Sequence, residues 1–592
     1  MVDTGMTVPP RPMFPLPYDS IELSKPTIAA VNGVAFAGGW MIAQACDLCV
    51  ASTAARFAIT EVKVGRSSPW AAPLIHMIPQ RIMMEIILTG KPITAQRAYE
   101  IGLVNRLAEP EALMQAALDL AAEILEGAPL SVKAGRDTAM NEISSIGTPG
   151  EDLIEPVVVP VEAYVSKDYA RAEQNRLWRK VWLQAARLED IPEVGDFVTY
   201  DILEDSVIIM RTGPDELSAY HNVCPHRGRR LIDTPAGQRN ARGNRKSIIC
   251  GFHGWTFDRQ GQCTFANHAD DWQGKLTAQR TALGKVSVDS WGGWAWINLD
   301  PDCGPLAEYL GVVPDMLDPF GLQNMRYRWR KWIIFDCNWK VAMEAFSETY
   351  HVQTTHPEFN AFGEFRGWAR KHGLHTNIGY EAPKNMDENQ AKLRIGSGED
   401  PRLSTAEMQL FTWENANTNT TMTLVAAAQR LKDELPEGTP APQVLQHWLA
   451  TARADDEKRG VFWPVVEPAH TAKSGTAWQI FPNFQIGHAV NNMLCYSARP
   501  YGADPDKCIF EAAVYELFPD AETPATEWEY TKAEEWPPVL QQDFTNMQAV
   551  QQGMKNVGFR GTQPNPYMER AVASLHYNLS RYMGTGAPKI MD

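Results

Sequence analysis

Two short segments, each pairing a cysteine with a histidine, constrain this chain more than any other feature of its sequence. Cys224-Pro-His226 and Cys250-Gly-Phe-His253 each place a thiolate and an imidazole on one tight loop. Thiolates can hold one iron of a [2Fe–2S] cluster while two neutral imidazoles hold the other. A structural zinc site is the alternative, but zinc sites usually favour cysteine-rich quartets or another histidine spacing. The spacing therefore predicts a [2Fe–2S] cluster ligated by these four residues.

The segment from Asn338 to Phe359 carries a second candidate metal site. His351 and His356 lie five residues apart, and Glu348 stands beside them. Iron(II) that activates oxygen needs two histidines and one carboxylate on one face, so that the opposite positions stay open. A histidine pair at this spacing is a weak signal by itself, and the carboxylate ligand must come from elsewhere in the chain.

The residues around both sites resemble one protein family. NVCPHRG followed by CGFHGWTFDRQGQ resembles the Rieske domain of ring-hydroxylating oxygenases, and the flanks RLWRKVWLQAARLEDIPEVGDFVTYDI and WGGWAWINLD agree with it. The stretch containing His351 and His356 resembles the family's D/E-x-x-H-x-x-x-x-H element. The resemblance runs from about Pro156 to the C-terminus and implies the large subunit of a Rieske non-haem iron oxygenase. Such a subunit hydroxylates an organic substrate, expected here to be aromatic, at mononuclear Fe(II).

The resemblance also implies roles for two carboxylates. Asp543, in QQDFTNMQAVQQG, matches the third iron ligand, whereas a solvent-facing helical Asp is the ordinary alternative. Glu348 matches the catalytic bridging residue, which would bond His351 and, from a neighbouring subunit, the cluster ligand His253. Glu348 replaces the shorter Asp of the best-known dioxygenases, and family monooxygenases carry Glu here too. Ala345 stands where many relatives have Asn.

The expected fold and partners follow from the same resemblance. It implies an all-β Rieske domain and an α+β catalytic domain with a large antiparallel sheet. It also implies a homotrimer or a multiple of it, with or without a small β subunit, in which one subunit's cluster feeds the next subunit's iron. A partner reductase would supply electrons from NAD(P)H, with or without a ferredoxin.

The N-terminal part resembles a different family. KPTIAAVNGVAFAGGWMIAQACDLCVAS and LTGKPITAQRAYEIGLVNRLAEPEAL are similar to the enoyl-CoA hydratase/isomerase (crotonase) family. Gly38 matches an oxyanion donor and Glu61 one of two catalytic carboxylates, but Met41 stands in place of the other. The opening strands and the second oxyanion donor have no match, and one lost donor costs roughly 10²–10³ in rate. We therefore expect a partial, inactive α/β segment with a vestigial acyl-CoA site.

Changes in composition along the chain predict its domains. A stretch rich in Gly, Pro and acidic residues follows the crotonase-like part, and aromatic-rich alternating strands follow that stretch. The expected divisions are a leader (1–22), a partial crotonase-like segment (23–145), a linker (146–160), a Rieske domain with its preceding helix (161–310) and a catalytic domain (311–592).

Charge and cysteine content narrow the function classes. The net charge of −16 argues against a general nucleic-acid binder, and nine cysteines are too few for a disulfide scaffold. No stretch is long and apolar enough to predict a membrane span. We expect a cytoplasmic protein that binds neither nucleic acid nor membrane.

Several alternatives stay open at this stage. The chain could be a Rieske electron-transfer protein without oxygenase activity, or a bifunctional protein that also binds acyl-CoA. Mono- and dioxygenation share the same machinery. The insertion DTPAGQRNARGNRKS is either a solvated loop or a docking surface for an acidic electron donor, through Arg239, Arg242, Arg245 and Lys246. A set of aromatic residues near the iron motif is either ordinary core or the lining of an apolar pocket: Trp339, Phe346, Phe359, Phe362 and Phe365.

Overall fold

A computed structural model of the chain describes residues 25–65, 68, 70–71, 74, 77–127, 156–362, 366–381 and 400–591. The chain divides into two compact units, residues 1–152 and 153–592. The division falls within the stretch 146–160 that composition predicts to be a linker. The predicted leader lies outside the described residues, as does most of that linker.

The first unit is an α/β layer. Ile28–Val31, Leu48–Ser52 and Arg106–Ala108 form one parallel sheet. A second sheet joins Val34–Phe36, Arg56–Ala58 and Ile93–Thr94. Parallel strands need crossover connections, which helices normally supply. The helices are Gly38–Gln44, Gln80–Thr89, Ala95–Glu100 and Leu113–Leu125. The last of these helices buries Leu113, Ala117 and Leu120, and Ala116 is partly buried.

The Rieske part of the second unit is built from β-strands. Its seven-stranded antiparallel sheet has the order Arg242–Asn244, Asp196–Ile202, Asp205–Gly213, Glu216–His221, Lys285–Trp291, Trp294–Asn298, Leu183–Arg187. A three-stranded sheet, Ile248–Ile249, Thr256–Phe257 and Cys263–Phe265, carries the second Cys-His loop. The strands of the seven-stranded sheet are rich in Val, Ile, Tyr and Trp, which suit a pleated, half-buried surface.

The catalytic part is a large sheet with helices. The strand order is Arg366–His372, His375–Glu381, Ala477–Ile480, Phe484–His488, Asn492–Pro500, Cys508–Glu516, Arg326–Phe335, Glu529–Tyr530, and all neighbours except the last pair are antiparallel. The longer helices are Pro401–Asn415, Met422–Glu434, Ala441–Lys458, Pro538–Gly553 and Arg570–Met583. The fold class predicted from the sequence is therefore confirmed. Among the described residues, no helix has the length and apolar character needed to cross a bilayer.

Shorter elements complete the second unit. They include the short helix that precedes the iron motif, Trp339–Glu344, and the turn of helix between its two histidines, Val352–Thr355. The remaining short α-helices and β-strands are Val157–Val158, Glu162–Val165, Lys167–Glu173, Ala278–Thr281, Leu306–Leu310, Val313–Leu317, Pro468–Ser474 and Lys589–Ile590.

One apolar core runs through both parts of the second unit. Trp178 and Ile297, from the Rieske part, belong to the same buried cluster as Phe510 and Leu575, from the catalytic part. Burial of apolar surface of this kind is the main favourable term in holding protein surfaces together. The cluster-bearing and iron-bearing parts of one chain therefore share a continuous core.

A buried ion cluster reinforces this junction and overturns part of the docking hypothesis. Arg239 donates to both carboxylate oxygens of Glu511, at 2.6 and 2.7 Å, and Arg499 donates to one of them at 2.5 Å. All three side chains are buried. Burial alone would raise the pKa of Glu511, but Arg239 and Arg499 outweigh it and lower that pKa to about 2.

The insertion is thus an internal anchor for part of its length. Arg239 cannot present its charge to an electron donor, because it is buried against the catalytic sheet. Arg242 pairs with Asp190 and Glu527 but is exposed. Arg245 and Lys246 are exposed as well, so a docking role for the loop now concerns these three residues without Arg239.

Removing the central carboxylate is expected to destabilise the protein. Glu511→Gln leaves two buried guanidinium groups without a negative partner, and breaking a buried pair typically costs about 3–5 kcal/mol. Denaturant unfolding at neutral pH measures the loss. Because the pKa of Glu511 is lowered in the folded state, its contribution is complete above its ordinary pKa of 4.5 and disappears as the pH falls through about 2. The stability gap between wild type and variant should therefore close in acid.

Asp168→Asn is the matched control. Asp168 pairs with Arg171 on the surface, where the two side chains are 93% and 66% exposed. Exposed pairs contribute roughly 0–1 kcal/mol, so this variant should unfold almost like wild type. Equal unfolding curves for Glu511→Gln and Asp168→Asn at neutral pH would contradict the assigned role of the buried cluster.

Candidate metal centres

The two Cys-His loops adopt nearly identical tight turns. The Gly228 N–H donates to the Cys224 carbonyl at 2.9 Å, and the Gly254 N–H donates to the Cys250 carbonyl at 3.0 Å. Both glycines have φ of 73°, a conformation that residues with a Cβ rarely adopt. A glycine four residues after each cysteine therefore closes each loop around its thiol.

The side chains of these loops suit a [2Fe–2S] cluster. Cys224 and Cys250 are buried, and the His226 and His253 rings lie 4.6 Å apart. The Nδ1 atoms of both histidines are buried and have no hydrogen-bond partner among the described residues. A buried ring nitrogen without a partner is costly, and an iron ligand bond would satisfy it. Trp255 stacks on His226 at 5.0 Å, which fixes the plane of that ring.

The electrostatics of Cys250 also favour a thiolate. Burial raises the pKa of the Cys250 thiol, but the N–H groups of Phe252 and His253 point at it and make the net shift downward. Metal ligation requires the thiolate form. The four predicted cluster ligands thus lie together, and the N–H groups around Cys250 favour the thiolate that iron ligation requires.

The predicted mononuclear site is also assembled from distant parts of the chain. Asp543 Oδ1 lies 3.0 Å from His356 Nε2 and 3.5 Å from His351 Nε2. One ligand atom from each residue lies within 4.8 Å of the other two. Asp543 is buried on the helix Pro538–Gly553, so the solvent-facing alternative does not apply. Two imidazoles and one carboxylate around one point form the donor set that suits non-haem iron.

Hydrogen bonds on the far side of each ring orient both histidines. His351 Nδ1 lies 2.5 Å from Glu348 Oε1, and His356 Nδ1 lies 2.7 Å from Gln542 Oε1. Because these oxygens act as acceptors, each Nδ1 carries the proton and each Nε2 keeps its lone pair for the metal. Partners of this kind fix the tautomer and raise ligand basicity. Glu348 has the predicted contact with His351; its proposed reach to a neighbouring subunit stays a prediction.

Gln542 escaped the sequence-based prediction. It directly precedes Asp543, and its amide donates to Glu358 at 3.0 Å while its oxygen accepts from His356. A glutamine next to an aspartate on a helix carries no recognisable signature. Only the packing of that helix against the histidine segment reveals its role.

A cavity of about 230 Å³ adjoins the iron ligands. Its polar wall contains three carboxylates besides Asp543: Glu344, Glu348 and Glu569. Its apolar wall consists of Val341, Ala345, Met547, Val550, Met554 and Val572. Burial, opposed by the Asn565 N–H and reinforced by Glu348 and Glu344, raises the pKa of Glu569 to about 7.

The three described aromatic residues among those named from the sequence do not line this cavity. Trp339 is buried and donates to Glu173 at 3.1 Å, and Phe346 stacks on Tyr496 at 4.0 Å. Phe359 lies edge-on to His356 at 6.1 Å. The Phe362 side chain and Phe365 lie outside the described residues. The described part of this cavity wall is therefore acidic and aliphatic rather than aromatic.

The vestigial acyl-CoA residues lie in the first unit. Gly38 begins the short helix Gly38–Gln44, and Glu61 Oε1 accepts from the Trp70 indole at 2.8 Å. A cavity of about 160 Å³ in this unit is lined by other residues, among them Trp40, Gln44 and Cys46. An acyl-CoA role for Gly38 and Glu61 remains a prediction.

Weakening the support of His356 is expected to lower iron affinity. Gln542→Leu removes the acceptor that orients its ring, and loss of such a partner typically costs 10- to 100-fold in metal affinity. Titration of iron-free protein with Fe(II) measures the change, while the cluster content should stay constant. Gln552→Leu is the matched control, since Gln552 lies exposed on the same helix. Wild-type affinity in Gln542→Leu would contradict the role given to this side chain.

Three family models of known proteins each match a different part of the chain. A family model described as "Rieske [2Fe-2S] domain" matches residues 181–275, and one described as "Ring hydroxylating alpha subunit (catalytic domain)" matches residues 320–585. A third, "Enoyl-CoA hydratase/isomerase", matches residues 12–151. The matches confirm both resemblances seen in the sequence.

Individual relatives agree with these assignments. A glycine betaine monooxygenase oxygenase subunit of Pseudomonas aeruginosa is 26% identical over 34% of this chain and 45% of its own length. A carnitine monooxygenase oxygenase subunit of Escherichia coli is 25% identical over 39% of this chain and 61% of its own. An (E)-benzylidenesuccinyl-CoA hydratase of Thauera aromatica is 45% identical over 20% of this chain and 48% of its own. The chain spans about half the length of these curated relatives.

The matched models and the two metal centres lead to one assignment. The cluster residues lie within the span of the Rieske model, and all three iron ligands lie within the span of the catalytic-domain model. These domains imply a Rieske cluster and one mononuclear iron. The chain therefore belongs to the Rieske non-haem iron oxygenases and carries an enoyl-CoA hydratase/isomerase segment ahead of its oxygenase domains.

Proposed function

We propose that this chain is the oxygenase component of a monooxygenase that hydroxylates a small quaternary ammonium compound. The observation that carries the proposal is the wall of the iron-site cavity, on which Glu344, Glu348 and Glu569 face Met547, Met554 and Val572. A permanent cation with methyl groups complements both walls, since carboxylates attract the charge and aliphatic side chains contact the methyl groups. The relatives named for glycine betaine and carnitine support the same substrate class.

This proposal replaces the aromatic substrate expected from the sequence. A neutral hydrocarbon in this cavity would bring no positive charge to its acidic wall, so burying the carboxylates against it is less favourable than burying them against a cation. Aromatic hydroxylation remains the second candidate, because the family also contains such enzymes and the N-terminal segment is similar to a hydratase of an aromatic acyl-CoA.

The residues of the site would have distinct tasks. His351, His356 and Asp543 would hold iron on one face, and Glu348 and Gln542 would keep the two rings in their ligating orientation. Iron and the cluster together would supply the reductive activation of oxygen. The apolar wall would exclude water from the reacting carbon, while the acidic wall would orient the cationic substrate.

Electrons are proposed to pass from the cluster of one subunit to the iron of its neighbour. The cluster face exposes Val223, Ile249 and Phe252, and the Arg227 guanidinium lies over the Phe252 ring. An apolar face with one cation complements the acidic surroundings of the iron site. We infer a homotrimer, or a multiple with or without a small β subunit, in which this face meets the neighbour's iron site. A reductase, with or without a ferredoxin, would pass electrons from NAD(P)H to the cluster.

Metal analysis tests the cofactor content. We expect about three irons and two acid-labile sulfides per chain, with a Rieske-type paramagnetic resonance signal after dithionite reduction. Asp543→Ala should lower the iron to about two per chain and leave the signal unchanged, because the cluster ligands are elsewhere. Asp302→Ala, at an exposed position, is the control and should keep three irons. Three firmly bound irons in Asp543→Ala would contradict the ligand assignment.

Oxygen uptake tests the substrate class. Protein with a reductase and NADH is offered glycine betaine, carnitine, and 3,3-dimethylbutanoate, an analogue of glycine betaine in which carbon replaces the charged nitrogen. We expect uptake and ¹⁸O incorporation from ¹⁸O₂ with the ammonium compounds and at least tenfold less with 3,3-dimethylbutanoate, because it lacks the positive charge that complements the acidic wall. Naphthalene provides the aromatic comparison. Oxygenation of naphthalene with none of either ammonium compound would favour the second candidate.

A further inference from the structure

A buried tyrosine, glutamate and histidine meet behind the acidic wall of the iron-site cavity. Tyr164 Oη lies 3.0 and 3.1 Å from the two carboxylate oxygens of Glu344, and His576 Nε2 lies 2.6 Å from Glu344 Oε1. Tyr164 Oη and His576 Nε2 are 2.8 Å apart. The three residues come from the segment before the Rieske sheet, the helix before the iron histidines and the last long helix. Residues distant in sequence thus converge on one carboxylate.

The hydrogen bonds identify Glu344 as the acceptor in this group. His576 Nδ1 is buried and has no partner among the described residues, so the imidazole is best accommodated with its proton on Nε2. That proton then points to Glu344. Burial, with the charge of Glu344, raises the pKa of Tyr164 well above 10, so its hydroxyl stays protonated and is also a donor. Two donors therefore stabilise the carboxylate form of Glu344 from one side.

The other side of Glu344 faces the iron site. Glu344 lines the cavity together with the ligands His351 and Asp543. Glu348, on the same wall, is committed to His351. The nearby cation Lys340 is committed to Glu173 at 2.5 Å, so it does not neutralise Glu344 by a direct pair. Glu344 thus belongs to the cavity wall, and its hydrogen-bond partners among the described residues are Tyr164 and His576 rather than an iron ligand.

Across the same cavity, Glu569 offers a connection to solvent. It lines the cavity and is partly exposed, whereas Tyr164 and His576 are buried. Glu569 and Glu344 therefore line one cavity, with the partly exposed carboxyl group nearer to solvent than the buried one. After Glu344 gives up a proton, its two donors limit the cost of the buried charge that remains.

We propose that Glu344 relays into the iron-site cavity the protons that oxygen reduction consumes, and that Tyr164 and His576 are its positioning residues. The proposal rests on the proposed function. In a monooxygenation, one O₂, two electrons from the reductase and two protons convert R–H to R–OH and one water. The O–O and C–H bonds break, while one C–O and the O–H bonds form. Glu344 supplies protons only, and Glu569 and solvent restore them.

The test compares single turnovers of fully reduced protein in H₂O and D₂O. Glu344→Gln keeps the size of the side chain but cannot carry an acidic proton. We expect turnover to slow by about 10²-fold, the lower end of a general acid's usual contribution, with a larger solvent isotope effect. Glu344→Asp should recover part of the rate. Tyr164→Phe should slow turnover less, because it removes one donor and leaves the carboxylate in place.

A spectroscopic measurement on iron-free protein separates relay from structural support. The carboxylate infrared bands of Glu344, identified by their loss in Glu344→Gln, should move in Tyr164→Phe, and the carboxyl band of the protonated form should shift between H₂O and D₂O. Iron content, the cluster signal and the unfolding midpoint show whether each variant is folded and loaded. A wild-type rate in loaded Glu344→Gln, or a Glu344 band insensitive to Tyr164→Phe, would overturn the proposal.

The two proposals fail in distinguishable ways. Wild-type protein that takes up oxygen but hydroxylates no ammonium compound contradicts the substrate class alone, because oxygen uptake by reduced protein still reports proton delivery. If the Glu344→Gln variant hydroxylates glycine betaine as fast as the wild-type protein does, the relay alone is contradicted.

Discussion

Burial of negative charge is the constraint on which the functional part of this structure depends. Asp543, Glu348, Glu344 and Glu511 are all withdrawn from water, and an unpaired buried carboxylate is strongly unfavourable. Each of these carboxylates is compensated by different neighbours. Two arginines surround Glu511, His351 bonds Glu348, and Tyr164 and His576 bond Glu344. Asp543 lies within 3.5 Å of the Nε2 atoms of both His351 and His356, where a bound metal ion would compensate its charge.

These pairings also explain how distant segments form one site. The short helix Trp339–Glu344 begins where the Asn338 side chain accepts the Lys340 N–H, and Asn338 donates in turn to the Tyr164 carbonyl. The same helix ends at Glu344, seven residues before His351. The helices Pro538–Gly553 and Arg570–Met583 then bring Asp543 and His576 to opposite ends of this segment. A rigid frame of this kind holds ligands in place before the metal binds.

The N-terminal unit differs from the oxygenase unit in its sheet type and has a separate apolar core. Its parallel strands and short helices form a core of their own, and Glu61 accepts a hydrogen bond from Trp70 within it. Its similarity to a hydratase is higher in identity than that of the oxygenase domains to their relatives. The chemistry of the iron site nevertheless draws its ligands from the second unit alone.

The sequence by itself determined the features that depend on local spacing. Each cysteine, histidine and closing glycine of the cluster loops lies within one turn, so residue spacing predicts the geometry of these loops. His351 and His356 share one short segment, but the spacing of this pair is a weak signal without the family resemblance. Asp543 is identified only through that resemblance, because nothing local marks a ligand so far along the chain. Tertiary structure alone decided that Gln542 supports His356, that Arg239 is buried against Glu511, and that the described cavity wall is acidic instead of aromatic. These outcomes depend on which faces of distant helices and strands pack together, and side-chain burial, unlike loop geometry, is set by the whole fold.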